Sequence, residues 1–428
     1  MQLKQPASIL NALTAATCSL FAGVPAAQAQ AQTPSRPAKP AQWEVESAIL
    51  YYSEQDRVTT IEPVVRMTKK LSEDEAISIR LVVDSLTGSS PSGAVPSTTP
   101  QTFTSPSGNQ TYSTPANTTP LDPTFLDTRV ALTLDWTRPL GAERRIVYTG
   151  HVSTEYDYTS IGVGATVSQD FNNRHTTLTA GLSYNADQVK PVGGVPLGLA
   201  PQPAFPGVKP TVGTDDDKTV VEALLGVTQV VNRTTLMQLN YTYGLDSGYL
   251  TDPYKLVSVV DPVTGIPLQT LYEKRPEDRA RNALYWRALK AFDRDVLNVS
   301  YRYYWDDWGI KSHTVDLRYR WDLRGAYLEP HLRFSNQVSA ADFYRPFLRT
   351  GEAAQFASAD YRLAKMTTGT AGVKYGIPTR TGEFSVRLEY MVQTGEDHPA
   401  GAPGQLASQD LFPDTKAVLL QVSYSFLW

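Results

Sequence analysis

From Trp43 onward, apolar and polar residues take turns position by position over one stretch after another. In "VLLQVSYSFLW", Val418, Leu420, Val422, Tyr424, Phe426 and Trp428 share one parity, and Leu419, Gln421, Ser423, Ser425 and Leu427 the other. Successive side chains of an extended chain point to opposite faces, so this is a strand with one greasy face and one mostly polar face. The pattern recurs. In "AISIRLVVD", Ile77, Ile79, Leu81 and Val83 oppose Ser78, Arg80, Val82 and Asp84; in "VDLRYRWDL", Val315, Leu317, Tyr319, Trp321 and Leu323 oppose Asp316, Arg318, Arg320 and Asp322. "RVALTLDW", "LTAGLSY" and "FSVRLEYMV" obey the same rule, and no helical period of comparable length competes with it. The chain is expected to be all-β and antiparallel.

A soluble sandwich would also alternate, so the content of the two faces has to decide. The apolar face carries aromatic rings near strand ends (Trp136, Tyr184, Trp305, Trp321, Tyr390, Trp428), where a membrane–water interface would hold them. The polar face carries acids and arginines in mid-strand, too much charge for a dry core. The connections point the same way. Turn-like clusters at 71–75, 138–143, 171–174, 232–234, 292–295, 322–325 and 378–382 alternate with long segments near 86–126, 189–217, 247–280, 336–358 and 395–415. Long loops without structure of their own are uncommon in compact soluble domains. Short turns at one end and long loops at the other describe a transmembrane up-and-down β-barrel, with short periplasmic turns, long extracellular loops and about 16 strands, give or take two.

The beginning of the chain fits that destination. Lys4 is followed by an uncharged stretch to Ala29 that ends in Ala27-Gln28-Ala29, the form of a secretory signal peptide cleaved after Ala29. Residues 30–42, rich in Pro, Ala and Gln, are expected to be a disordered linker, which leaves 43–428 for the barrel. The single cysteine, Cys18, lies in the leader, so the mature chain offers no disulfide. A formal net charge of −4 with both signs interspersed argues against nucleic acid as a partner. The expected location is the outer membrane of a Gram-negative bacterium, with membrane lipid as the immediate partner.

Chemistry is harder to find. His151 and Ser153 share a strand face, two residues apart, as a nucleophile and its base would, but parity turns both toward the lumen and away from lipid. The other histidines are scattered, the run Asp215, Asp216, Asp217 lacks the spacing of a calcium loop, and no phosphate-binding loop is present. No enzyme, cofactor or metal site is expected. The more informative feature is a set of inward charges: Arg80, Asp135, Arg302, Asp316, Arg318, Arg320, Asp322, Glu329, His331, Arg333, Arg387 and Glu389. A barrel of this size leaves an aqueous passage unless something fills it, and such rows would orient small polar solutes inside it.

Two stretches near the start of the barrel carry a resemblance. In "AILYYSEQDRVTTIEPVV", Tyr52, Glu54, Asp56 and Arg57, and in "DSLTGSSPSGAVPS", Asp84, Gly88, Pro91 and Gly93, look like the N-terminal signatures of the bacterial family catalogued as domain of unknown function 3570. The resemblance implies an outer-membrane barrel over nearly the whole mature chain and assigns no catalytic residue. It further implies a neighbourhood of periplasmic thioredoxin-like and flavin-transfer proteins as partners, hence a redox- or metal-related export process. The final strand, with Tyr424, Phe426 and Trp428, resembles the signal by which outer-membrane proteins are presented to the barrel-assembly machinery. The expected function is that of a porin-like channel or exporter for small polar solutes. A closed scaffold for other envelope components and, less favoured, a lipid hydrolase are the alternatives.

Overall fold

The computed structural model describes residues 43–428 apart from 106 and 107, so the leader and linker expected over 1–42 lie outside the described residues. Sixteen strands form one closed barrel. In chain order they are Trp43–Glu54, Thr59–Lys70, Ala76–Pro91, Leu121–Pro139, Arg144–Thr154, Tyr158–Phe171, Thr176–Val189 and Asp216–Asn232. The second half comprises Thr235–Gly248, Asp278–Ala291, Val296–Asp306, Lys311–Asp322, Tyr327–Ser339, Met366–Pro378, Gly382–Gly395 and Thr415–Leu427. Each pairs antiparallel with its neighbour in sequence, and the first closes on the last from Glu44↔Leu427 to Glu54↔Ala417. Beyond the ladder, the Trp43 and Trp428 amides each donate to the other's carbonyl, at 2.8 and 2.7 Å. Closure leaves no unpaired edge, which is the condition for placing a sheet in hydrocarbon.

Alternation along each strand becomes inside against outside. Leu81, Leu134, Leu182, Leu317, Leu388 and Leu420 project exposed from the outer surface, while Ser78, Asp84, His331, Arg387, Glu389 and Gln421 on the other parity are buried within. Outward aromatics collect near the strand ends. Trp136 lies 6.1 Å from Tyr148 near the short-turn end, and Tyr303 stacks on Trp305 at 5.0 Å near the other. Rings at these depths sit where an amphipathic aromatic is most stable in a bilayer.

Seven connections at one end are short, at 71–75, 140–143, 172–175, 233–234, 292–295, 323–326 and 379–381. The other end is mixed. Five of its eight connections are long (92–120, 190–215, 249–277, 340–365, 396–414), but 55–58, 155–157 and 307–310 are tight turns. Several strands also run further than their sequence pattern, since Ala76–Pro91 and Leu121–Pro139 extend into what reads as loop.

The long loops do not stand free. A three-stranded sheet of Pro267–Tyr272, Leu256–Val260 and Leu348–Arg349 joins two of them. Leu256, Val257, Ser258, Val260, Ala357 and Ser358 in this sheet and beside it have no accessible surface at all. Val95, Val260, Phe347 and Leu406, each from a different long loop, form one apolar cluster. Tyr361, Ala364 and Phe412 pack against Leu50, Tyr52, Met391, Ala417 and Leu419, which are inward residues of the closing strands. The loops therefore turn into the mouth and cap it along that wall.

Candidate functional site

The cap is fastened by charges. Arg275 lies between Glu273 (Nε to Oε1, 2.6 Å) and Asp360 (Nη2 to Oδ2, 2.8 Å). Arg362 donates from Nε to Asp360 Oδ1 at 2.7 Å and from Nη2 to Asp252 Oδ2 at 2.8 Å. Lys255 donates to the Pro91 carbonyl, and Ser358 to the second oxygen of Glu273. Three cations thus face three carboxylates, nearly all without solvent, and the cluster is close to neutral. Locally, Asp360 caps the short turn Tyr361–Leu363 by accepting from the Arg362 amide, which brings that guanidinium back onto its own carboxylate.

Burial and pairing divide the two acids on Arg275. Burial pushes the Glu273 carboxyl up, and Arg275 only partly offsets it. Burial would raise Asp360 as well, but the guanidiniums of Arg362 and Arg275 hold it well below the usual carboxylate range. Burial, and then the charge of Arg362, pulls Lys255 below the ordinary lysine value.

The two N-terminal motifs meet this cap. Gly88 has φ of +131°, and a Cβ there would collide with the Arg57 carbonyl, so the second motif lies directly on the turn of the first. Gly93 has φ of +93°, and a Cβ there would strike the Leu256 carbonyl, while the Leu256 amide donates to Ser92 O at 2.8 Å. The carbonyl of Pro91 is the acceptor for Lys255. Asp84 pairs with Arg129 at 2.5 Å across the strand junction. Tyr52 donates to Glu54 at 2.7 Å, Asp56 occupies the turn with φ of 55°, and Arg57 reaches Pro413 O and Thr415 Oγ1 at 3.0 and 2.8 Å. The motifs hold the mouth of the barrel together.

Below the cap, inward charges form a connected group. His331 has a carboxylate oxygen at each ring nitrogen, Asp316 at Nε2 and Glu389 at Nδ1, both at 2.8 Å. Arg318 pairs with Asp316 at 3.1 Å, and Arg387 lies 3.7 Å from both Glu389 and Glu329. Asp135 accepts from Thr149 at 2.7 Å, and Arg80 projects inward with its Nε unpaired among the described residues. Arg302 and Arg333 stand inward on neighbouring positions of the same wall. Arg320 and Asp322 lie at the short-turn rim, exposed, with Arg320 over the Tyr327 ring and 3.5 Å from Glu383. Tyr424 and Phe426 stack at 5.3 Å on the outer surface at that same end, beside an exposed Trp428.

His151 and Ser153 both face inward, but no hydrogen bond joins them among the described residues; His151 Nδ1 instead lies 3.1 Å from Thr133 Oγ1. Asp216 accepts from the Asp217 amide and Asp215 from Gln188, and among the described residues no three His, Cys, Asp or Glu are placed to hold a metal ion.

The family model described as Protein of unknown function (DUF3570) matches residues 10–426. The chain belongs to the DUF3570 family. No curated protein matches it. Solved structures that it resembles include a ferric enterobactin receptor (PfeA) from Pseudomonas aeruginosa, 9% identical with a TM-score of 0.42, over 92% of this chain and 60% of that one. The outer membrane protein OpdK from Pseudomonas aeruginosa is 9% identical with a TM-score of 0.40, over 91% and 99%. CdiB from Acinetobacter baumannii is 6% identical with a TM-score of 0.46, over 90% and 60%. The DUF3570 chain thus spans about three fifths of the length of the enterobactin receptor it resembles.

In this DUF3570 protein the charges that sequence reasoning missed are those of the cap: Asp252, Lys255, Glu273, Arg275, Asp360 and Arg362. They sit in "DPYKL", "YEKRPED" and "ADYRL", which read as solvated loop. A signal existed nearby. Leu256–Val260, "LVSVV", is a short β-branched run between Asp252-Pro253 and Asp261-Pro262, the form of a buried strand rather than of an exposed loop.

Proposed function

We propose that this protein is an outer-membrane barrel of a Gram-negative bacterium that passes small polar solutes through a narrowed lumen. Its seven short turns face the periplasm, and its inward-folded loops restrict the outer mouth. One observation carries the reading. On the inner wall, charged side chains keep contact with water even where they are paired: Arg129, beside Asp84, is 26% exposed, and Arg281 and Glu222, 3.9 Å apart, are 21% and 42% exposed. A lumen filled throughout would have buried these pairs and taken their remaining contact with water. The loops therefore leave an arc of hydrated, charged wall beside the packed one, as a restricted passage requires.

Single-channel recording of the purified full chain in a planar bilayer tests this. Discrete, reproducible conductance steps are expected. Silence from protein shown to be folded and inserted would overturn the passage.

A further inference from the structure

Most inward arginines of this barrel have an acid of their own: Arg129 has Asp84, Arg279 has Asp306, and Arg281 has Asp246. Arg302 and Arg333 do not. Among the described residues neither has a carboxylate oxygen within 4.0 Å, and neither makes a hydrogen bond. Arg302 only rests over the Tyr304 ring, at 5.4 Å. Arg287, on the adjoining strand, donates Nε to the neutral Asn298 at 3.0 Å and likewise lacks an acid.

Register brings these three together. Arg287, Ser300, Asp316 and Arg333 form one straight row across four strands, and Arg302 stands in the next row toward the long-loop end, paired with Tyr285 and Thr314. With about 4.8 Å between strands and about 3.3 Å per residue, the Arg302 and Arg333 backbones are roughly 12 Å apart. Two extended guanidinium arms can close that gap on a shared small ligand. The one acid in the row, Asp316, is already engaged by Arg318 at 3.1 Å and His331 at 2.8 Å. The wall therefore presents to the lumen arginine forks with no carboxylate in direct contact; Asp316 and Glu389 act on Arg333, and Glu222 on Arg302, only from beyond ion-pair distance.

We propose that Arg302 and Arg333, supported by Arg287, form an anion-binding subsite inside the barrel for small multivalent solutes bearing carboxylate or phosphate groups. A guanidinium presents a planar pair of N–H donors that matches either group bidentately. Adjacent like charges within low-dielectric walls repel one another until an anion enters between them, and they raise its local concentration. This rests on the lumen being reachable from water and names the solute class of the proposed passage.

The test is isothermal titration of the detergent-purified full chain with citrate and, separately, with inorganic phosphate, at constant ionic strength and with choline as the cationic control. Saturable binding of citrate or phosphate, and none of choline, is expected. Arg302→Gln and Arg333→Gln should each weaken it about tenfold, the worth of a charge-assisted hydrogen-bonded pair, and either variant suffices should the other not fold. Folded wild-type protein that binds neither anion, or variants that bind both unchanged, would overturn the subsite. The outcome is separable from the passage itself: conductance steps without anion binding defeat the subsite and keep the passage, and binding without steps does the reverse.

Discussion

His331 and Glu389 meet side chain to side chain, Nδ1 to Oε1 at 2.8 Å, although the whole strand Met366–Pro378 runs between theirs. The residue in register between them is Gly372. An ordinary side chain there would fill the groove that the imidazole and the carboxylate share. A Cβ at Gly372 would overlap Glu389 Cγ and lie 2.6 Å from the Leu388 carbonyl oxygen, which cannot swing away. Gly372→Ala is therefore expected to cost about 1–3 kcal/mol, as overpacking commonly does. Gly369 on the same strand has nothing within 4 Å of its missing Cβ, so Gly369→Ala is the control. Urea unfolding in lipid or detergent micelles, followed by intrinsic fluorescence, should separate the two variants. Equal midpoints would mean that the strand yields and that the His331–Glu389 contact does not depend on Gly372.

That contact shows where legibility in the sequence stops. Parity alone put Asp316, His331 and Glu389 on the inner face, because a strand has only two faces and the other is filled with Val315, Leu332 and Leu388. The seven short turns were legible by a different signal, the clusters of Gly, Pro, Asn, Asp and Arg between strands. Parity carries no information about height or pairing, which depend on registers such as His331↔Gly372↔Glu389. Nor does it tell which end a turn belongs to: 55–58 and 307–310 are built of the same Asp, Gly and Arg chemistry as the turns of the opposite end. The cap was illegible for a different reason. Glu273 with Arg275, and Asp360 with Arg362, are local pairs that read as hydrated loop, and only the meeting of two loops distant in sequence makes them a buried cluster.

The second motif should matter for the cap more than for the barrel. Gly93 combines a left-handed φ of +93° with a backbone oxygen where its Cβ would be, so Gly93→Ala meets strain and collision together. The barrel ladder ends at Pro91 and does not include this residue. Limited proteolysis in outer-membrane vesicles should therefore cut within 249–277 in Gly93→Ala protein, while heat-resistant compact migration on gels persists. Loss of compact migration would show instead that the motif is needed to build the barrel.

Docking of the cap should be insensitive to mild acid. Burial holds the Glu273 pKa above its ordinary 4.5, so a proton taken up there as pH falls favours the folded, docked state. The Asp360 pKa is held below its ordinary 3.8 by Arg362 and Arg275 against the effect of burial. Its stabilisation is fully present above the unfolded value and is lost only as pH falls through the lower folded one. Hydrogen exchange at Leu256–Val260, corrected for intrinsic rate, should stay slow from about pH 7 to about pH 4 and rise only below the ordinary aspartate range. Faster exchange between about pH 7 and about pH 5 would contradict this assignment of the protons.

Asp360 is the hinge of the charge cluster, since it touches both Arg275 and Arg362. Asp360→Asn keeps the shape and removes the charge, leaving three buried cations against Glu273 and Asp252. Breaking a buried pair by taking away one partner costs about 3–5 kcal/mol, because the remaining charges stay desolvated. That cost falls on the loops. No rung of the sixteen-strand ladder includes Asp360, so the sheet signal in circular dichroism should be retained while the amides of Leu256–Val260 exchange faster. If the docked loops narrow the passage, the same substitution should raise single-channel conductance. Faster exchange with unchanged conductance would place the constriction lower in the lumen, among Asp316, His331 and Arg387, and would direct mutagenesis to those residues instead.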